Sequence, residues 1–437
     1  MVHKINSSGL YITGLAHAYP EHSFGPDEFQ DYVARLYPEY RTSPGLQKLM
    51  KLNRVTQIKS RQANLDISSD TKGDATPPSI DQLSQIFQRD GVQLAASACS
   101  KAMTEANLHP GEVTHVVAVT CTDQSNPGYD LLVCKTLKLH PGVQRTLLHG
   151  VGCAGGLSAL RAAANIAAAE SQRGRPARVL VMACELCSLF LKAELHAASC
   201  DEKLHIAPAL FSDAAAALVV CNQSALMRDQ KPIYELQECG SMLVPNTTQY
   251  MSYDITAKGM IASITKEVPK TAVSAIQPMF DQLRKQICAT HNKQDPPRTP
   301  TAPSDFDWAV HPGGAAILQG AQQAMGLAED HIRASLEIYR SYGNSSSPTV
   351  LIVLDQLRRM GQGRDNVIAT SFGPGMMIEM CMLKRCRHVD VTPRLKTQVK
   401  KEDMWQALQF KLARLMKWHI ALDDPRRAKR EHGLVVL

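Results

Sequence analysis

Gly152-Cys153-Ala154-Gly155-Gly156 runs directly into Leu157-Ser158-Ala159-Leu160-Arg161-Ala162-Ala163-Ala164-Asn165-Ile166-Ala167. A cysteine stands where a turn of small residues becomes a helix. Alanine is the strongest helix former, and no breaker interrupts the run before Gly174. Upstream, Arg145-Thr146-Leu147-Leu148-His149 reads as a short buried strand. Strand, turn, cysteine, helix puts a thiol at the positive end of a helix dipole, where its pKa falls and it becomes a nucleophile. Small neighbours let a substrate and a backbone N–H approach the sulfur. A buried structural cysteine at a helix start gives the same local pattern, so the rest of the chain has to decide.

The chain has 437 residues, beyond the size at which one core keeps growing, which predicts a two-lobed or two-domain molecule. Hydrophobic residues make up 44% and charged residues 20%, as in ordinary globular proteins. Aromatics are only 5% and alanine is abundant, which points to closely packed helices. The net charge of +7 gathers toward the C-terminus. It is too mild and too local for nucleic acid and suits an anionic small molecule carrying phosphates. Several of the 12 cysteines (Cys121, Cys184, Cys221, Cys381) lie in apolar runs, as reduced core thiols do. No signal peptide opens the chain, and no apolar run reaches the ~18 residues of a membrane span. These features predict a reduced, cytoplasmic enzyme without structural disulfides.

Strand candidates are Leu10–Ala16, His115–Cys121, Arg178–Cys184 and the end of Leu210–Cys221. The central two are continuous apolar runs, expected of strands covered on both faces. Helices are predicted over 84–107, 155–173 and 271–292. A proline-dense linker, Asp295 to Pro303, separates the two parts. Beyond it the order repeats. Phe306–Pro312 is a strand ending in His311, Ala315–Met325 a helix, and Thr349–Met360 a second helix opened by Gly343-Asn344-Ser345-Ser346-Ser347-Pro348. Asn366–Thr370 and Met376–Leu383 are two more strands, joined by Ser371-Phe372-Gly373-Pro374-Gly375. This is an internal duplication in an α/β protein. The expected division is 1–240, 241–386 and a basic extension, 387–437.

Packed with twofold pseudosymmetry, the two halves bring Cys153, His311 and Asn344 to one point. At this stage the sequence resembles the chalcone synthase-like type III polyketide synthases of the thiolase superfamily, over about residues 10–385. The resemblance rests on Gly-Cys-Ala-Gly-Gly, Leu-Phe-Ser-Asp-Ala-Ala-Ala-Ala-Leu, His-Pro-Gly-Gly, Tyr-Gly-Asn-x-Ser-Ser and Phe-Gly-Pro-Gly, all five in order. It looks closer to the fungal enzymes making alkylresorcylic acids and alkylpyrones than to the plant enzymes. It implies a thiolase-like αβαβα five-layered fold from two duplicated halves and a homodimer. It also implies acyl-CoA and malonyl-CoA as substrates, with no cofactor. The residues suit that chemistry independently. A thiolate exchanges readily with a thioester, and His311 as imidazolium would keep Cys153 ionised. His311 and Asn344 can donate to the enolate oxygen left when malonyl-CoA loses carbon dioxide. That loss generates the carbanion, so Asn rather than Asp can stand third.

The resemblance also assigns the pocket. Phe211 matches a gatekeeper between the CoA tunnel and the cavity. Ala262 falls on a second gatekeeper position that is Phe in plant enzymes, which predicts a larger cavity and a medium or long aliphatic starter. Cys121 and Thr122 fall where the family has two cavity hydroxyls, and Ser346 matches a pocket serine. Gly313 and Gly314 follow the histidine. Pro374 shapes the cyclisation loop, whose first glycine is Ser371 here. Lys48, Lys51 and Arg54, on one helix face, fall in the region that binds CoA phosphates. Asn126 replaces a Met that reaches across the dimer in plant enzymes. Three alternatives stay open. They are a single-condensation enzyme like ketoacyl synthase III or HMG-CoA synthase, a Cys–His–Asn amidase or protease, and an inactive scaffold. Cys184-Glu185-Leu186-Cys187, with His196, Cys200 and His205, is a weak metal pattern, and no metal is assigned. Residues 402–420 read as an amphipathic helix, packed on the body or a partner rather than on a membrane.

Overall fold

The computed structural model describes residues 9–387 except 71–72, 203, 291–301 and 362. The 402–420 helix, the rest of the basic extension beyond 387 and most of the linker lie outside the described residues. Nine strands form one sheet: β1 (Leu10–Ala18), β2 (His115–Val119), β3 (Gln144–Leu148), β4 (Arg178–Leu186), β5 (Asp213–Asn222), β6 (Tyr234–Leu243), β7 (Phe306–Val310), β8 (Asn366–Gly373) and β9 (Met377–Arg385). Their spatial order is β7-β8-β9-β6-β1-β5-β4-β2-β3. β2–β4–β5–β1 in the first half matches β7–β8–β9–β6 in the second. In each, the first pair is parallel and the next two pairs are antiparallel. The halves join where β1 meets β6, Tyr11 opposite Glu235 and Ile12 opposite Tyr234. The duplication legible in the sequence is thus a repeated strand plan, with β3 added at the edge of the first half.

The layers follow from alternation. Val117, Val119, Val179 and Val181 point to one face, into a core shared with Leu157 and Leu160 of the Gly155–Gln172 helix and Leu351 and Leu354 of the Thr349–Arg359 helix. Val367, Ala369 and Cys381 of the second half close the same core. Val116, Ala118, Leu180 and Met182 point the other way, onto the Val92–Glu105 helix. On the far side the Val268–Thr290 helix covers β6 and β7. A Cβ at Gly240 would lie 2.4 Å from Met279, and Phe280 meets Trp308. Helix, sheet, helix, sheet, helix is the five-layered arrangement expected.

Small residues set the spacing between layers. A Cβ on Gly14 of β1 would sit 2.0 Å from the Ala102 carbonyl oxygen, so strand and helix backbones touch there. That contact accounts for the alanine-rich, aromatic-poor composition. Two β features, among other elements not predicted from the sequence, had no signal in it. One is β6, whose polar, glycine-containing run hides a strand. The other is the hairpin Met251–Thr256 with Gly259–Ile264, which lay in a stretch of mixed pattern.

Candidate active site

Three turns meet through their glycines. A Cβ on Gly156 would lie 2.4 Å from the Ser347 carbonyl oxygen, and one on Gly155 would lie 2.6 Å from Val119. Gly152, at φ +48°, would place a Cβ 2.7 Å from the Pro374 ring, and Gly373 would place one 2.4 Å from the Val151 oxygen. The cysteine turn, the Asn344–Pro348 turn and the Pro374 loop are therefore pressed together, and bulkier residues would separate them. Cys153 sits in a 3₁₀ turn, Gly152–Ala154, that feeds the Gly155–Gln172 helix, as the opening stretch predicts. It keeps partial access to solvent.

Asn344 does not open a helix as expected: the helix begins only at Thr349. Instead Asn344 forms a bridge to Phe211, donating its N–H to the Leu210 oxygen at 3.0 Å and accepting from the Ser212 N–H at 2.9 Å. Its side-chain oxygen accepts from the Ser346 N–H at 2.8 Å and from the Thr349 hydroxyl at 3.4 Å. Those bonds occupy the oxygen and leave the amide nitrogen free to turn toward Cys153, whose pKa Asn344 lowers. Ser346 lies between two thiols, its hydroxyl 3.5 Å from Cys153 and 3.7 Å from Cys121. Cys121 in turn meets a residue not singled out in the sequence, Glu185. This fully buried carboxylate accepts from the Cys121 N–H at 3.0 Å, from the Thr122 hydroxyl at 2.8 Å and from Ser347. Burial pushes its pKa up, and these donors pull it back. A charged residue inside the apolar run of β4 was the available signal.

His311 follows β7 directly, its N–H held by the Thr370 oxygen at 2.8 Å. The side chain is 1% exposed, and neither ring nitrogen has a hydrogen-bond partner among the described residues. Gly313 leaves room beside the ring, since a Cβ there would stand 3.3 Å from it. Gly314 precedes the Ala315–Met325 helix. Burial lowers His311 to about 3. Burial raises Cys153 to about 11, opposed by hydrogen bonds from Ser346 and Asn344. Burial thus works against charge on either group.

Phe211 lines a separate small pocket, with Phe24, Cys187, Phe190, Glu194 and Tyr253. Ala262 does not line it. It is buried beside it, its N–H donating to Glu194 at 2.6 Å. The expected site residues therefore divide. Ser346 lies beside Cys153 and Cys121, Pro374 presses on Gly152, Thr122 bonds Glu185 and Gly313 neighbours His311, while Phe211 faces the cavity. Lys48, Lys51 and Arg54 lie on the Pro44–Val55 helix. Lys51 and Arg54 are exposed, Lys48 bonds the Glu202 oxygen and Arg54 bonds Gln30. That helix packs on the Ala207–Leu210 segment leading to Phe211. The C-x-x-C pair diverges: Cys184 points at the Gly91 oxygen and Cys187 at the cavity.

The chain matches the chalcone and stilbene synthase N-terminal domain over residues 4–224 and the C-terminal domain over residues 235–387. It is 46% identical over 387 residues to the type III polyketide synthase pspB of Penicillium soppii, covering 86% of this chain and 96% of that protein. It is 34% identical over 386 residues to the acylalkylpyrone synthase csyB of Aspergillus oryzae, covering 87% and 96%. The structure of CsyB complexed with CoA-SH superposes with a TM-score of 0.81 at 33% identity, over 86% of this chain and all of that one. The crystal structure of the fungal type III polyketide synthase ORAS superposes with a TM-score of 0.82 at 39% identity, over 86% of this chain and 100% of that one.

Proposed function

Since the chain belongs to the chalcone and stilbene synthase family and is a type III polyketide synthase, we propose that it holds a medium or long aliphatic acyl group on Cys153 and cyclises the extended chain to a pyrone or a resorcinol-type ring. The observation that carries this is the meeting of Cys153, Asn344 and Ser346 at one junction of three glycine-packed turns. Cys153 sulfur attacks the acyl-CoA carbonyl while its proton passes to His311, and the CoA thiol leaves with a proton. Malonyl-CoA then loses carbon dioxide. The electrons of the broken C–C bond enter an enolate whose oxygen accepts from the Asn344 amide and from a neutral His311 N–H. The enolate carbon attacks the Cys153 thioester and frees the thiolate for the next loading. The family's acyl-CoA and malonyl-CoA substrates need no further cofactor in this scheme.

Pocket assignments belong to the same reading. Phe211 bounds the acyl cavity, Ala262 stands buried beside it where a ring would push against its wall, and Lys48, Lys51 and Arg54 receive CoA phosphates at its rim. The CoA-SH complex of CsyB supports CoA as the carrier, and the name acylalkylpyrone synthase supports a pyrone outcome. A homodimer through β3 fits the same frame. β3, expected as a buried strand, is instead the outermost strand of the sheet among the described residues, its Gln144, Arg145 and Thr146 exposed, and it leads straight to the Cys153 turn. All twelve cysteines are free, which suits a cytoplasmic location. Among the described residues no helix is long and apolar enough to cross a membrane.

The test is a product profile from acyl-CoA starters of increasing length with malonyl-CoA. Cyclised products of several extensions are expected, most efficiently from the longer aliphatic starters. A single condensation product overturns the reading. Ala262→Phe should shift use toward short starters, and unchanged use of long ones overturns the assignment of Ala262.

A further inference from the structure

Cys239 of β6 and Cys381 of β9 stand directly opposite each other in the second half of the sheet. The antiparallel register runs without a shift from Met377 opposite Leu243 to Met382 opposite Glu238, so the two cysteines lie inside a regular ladder. Residues so paired share a face of the sheet, with Cα atoms about 4.5–5.5 Å apart. A disulfide spans about 4.4–6.8 Å between Cα atoms, so it fits here without moving either strand. Both side chains turn to the core covered by the Gly155–Gln172 helix. Cys381 is fully buried there, and Cys239 packs against it half-buried. The two thiols interact directly: hydrogen bonding to Cys239, ahead of burial, pushes Cys381 well above its ordinary pKa. A cation stands beside them. Arg161 of the same helix bonds Glu379 at 2.7 Å and is held above its ordinary range first by that carboxylate, with smaller contributions from Cys381 and Cys239.

Other buried cysteines have other partners. Cys184 donates to the Gly91 oxygen, Cys221 meets the Thr13 hydroxyl and Cys99 meets the Met182 sulfur. Cys239 and Cys381 have each other. Packing alone asks for small apolar side chains at these positions, and two facing thiols add a chemistry that packing does not use.

We propose that Cys239 and Cys381 form a reversible oxidation site, a dithiol that a hydroperoxide converts to a cross-strand disulfide. Cys239, the thiol with access to solvent, attacks the peroxide as thiolate. The O–O bond breaks, one oxygen stays on sulfur as a sulfenic acid and the other leaves as water or an alcohol. The Cys381 sulfur then displaces the hydroxyl, which leaves as water with the Cys381 proton. The two thiols give up two electrons and the peroxide takes them. Attack by an exogenous dithiol reverses the step, and in a reducing compartment the dithiol is the resting form. None of this depends on how the acyl pocket is assigned.

The experiment treats the reduced full chain with increasing hydrogen peroxide, blocks remaining thiols with N-ethylmaleimide in denaturant, and maps unreduced peptides by mass spectrometry. A peptide pair joined through Cys239 and Cys381 should appear, lighter than the two reduced peptides by two hydrogens, and dithiothreitol should abolish it. Both cysteines should lose their alkylation together, at peroxide levels that leave Cys99 and Cys221 alkylated. In Cys239→Ser, Cys381 should stay alkylated throughout. In Cys381→Ser, Cys239 should pass to the sulfenic and then the sulfinic acid, because nothing resolves it. If both thiols of the unaltered chain remain alkylated at peroxide levels that have already oxidised Cys153, or if either one joins a different cysteine, the inference is overturned.

Discussion

In the first half, the turn between β3 and the Gly155–Gln172 helix is glycine and alanine around one cysteine. In the second, the turn before the Thr349–Arg359 helix is Asn344 followed by three buried serines. The strand plans match, so the two turns occupy equivalent places, and their composition differs because their tasks differ. A nucleophile has to be approached, which calls for bare backbone around sulfur. A donor has to be aimed, which calls for a turn cross-linked by its own side chains, as Ser346 and Thr349 do for the Asn344 amide. His311 is a third case, a buried ring whose two nitrogens have no partner among the described residues and which the proposed mechanism uses to exchange a proton.

The comparison can be broken at each of these points. His311→Ala removes the proton acceptor. Acylation of Cys153 should slow by about 10³-fold. Iodoacetamide labelling of Cys153 should then need a higher pH than in the wild type, since burial raises the thiol and the ring no longer takes its proton. Wild-type labelling with the same pH dependence would break the link between the two residues. Asn344→Ala should leave acylation in place and cut malonyl-CoA decarboxylation by about 10²-fold. Equal loss of both steps would make Asn344 structural.

Smaller effects test the frame. Asp213, at the start of β5 beside Phe211, is fully buried and pushed up to about 6 from 3.8. The folded state therefore binds its proton more tightly than the unfolded chain. The stability it contributes is complete below 3.8 and is lost as pH rises through 6, roughly 3 kcal/mol in all. Asp213→Asn should remove that slope from denaturation midpoints measured across this range, and an unchanged slope would assign it elsewhere. Gly156→Ala pushes a methyl against the Ser347 oxygen. It should cost about 1–3 kcal/mol in urea unfolding. A neutral result would mean that the two helices are less tightly joined than the 2.4 Å approach implies.

Much of this was legible because it is local. The Cys153 turn, the apolar runs of β2 and β4 and the repeat after the linker are patterns within short windows. β6 was not, since Tyr234-Glu235-Leu236-Gln237-Glu238-Cys239-Gly240 is half polar and becomes a strand through pairing with β9 and β1. Glu185 and Glu194 were missed for a related reason. A carboxylate in an apolar run carries no label until the structure shows whose hydrogen bonds it accepts. The helix dipole at Cys153 is a local effect legible in the sequence, whereas the burial that opposes it comes from the surrounding chain.

The most direct test is peptide-resolved mass spectrometry after incubation with a long-chain acyl-CoA alone. The account predicts a single acyl group, on Cys153, present in Asn344→Ala and absent in Cys153→Ala. An acyl group on Cys121 or Cys187, or a chain that turns over acyl-CoA and malonyl-CoA while Cys153 stays unmodified, would contradict it.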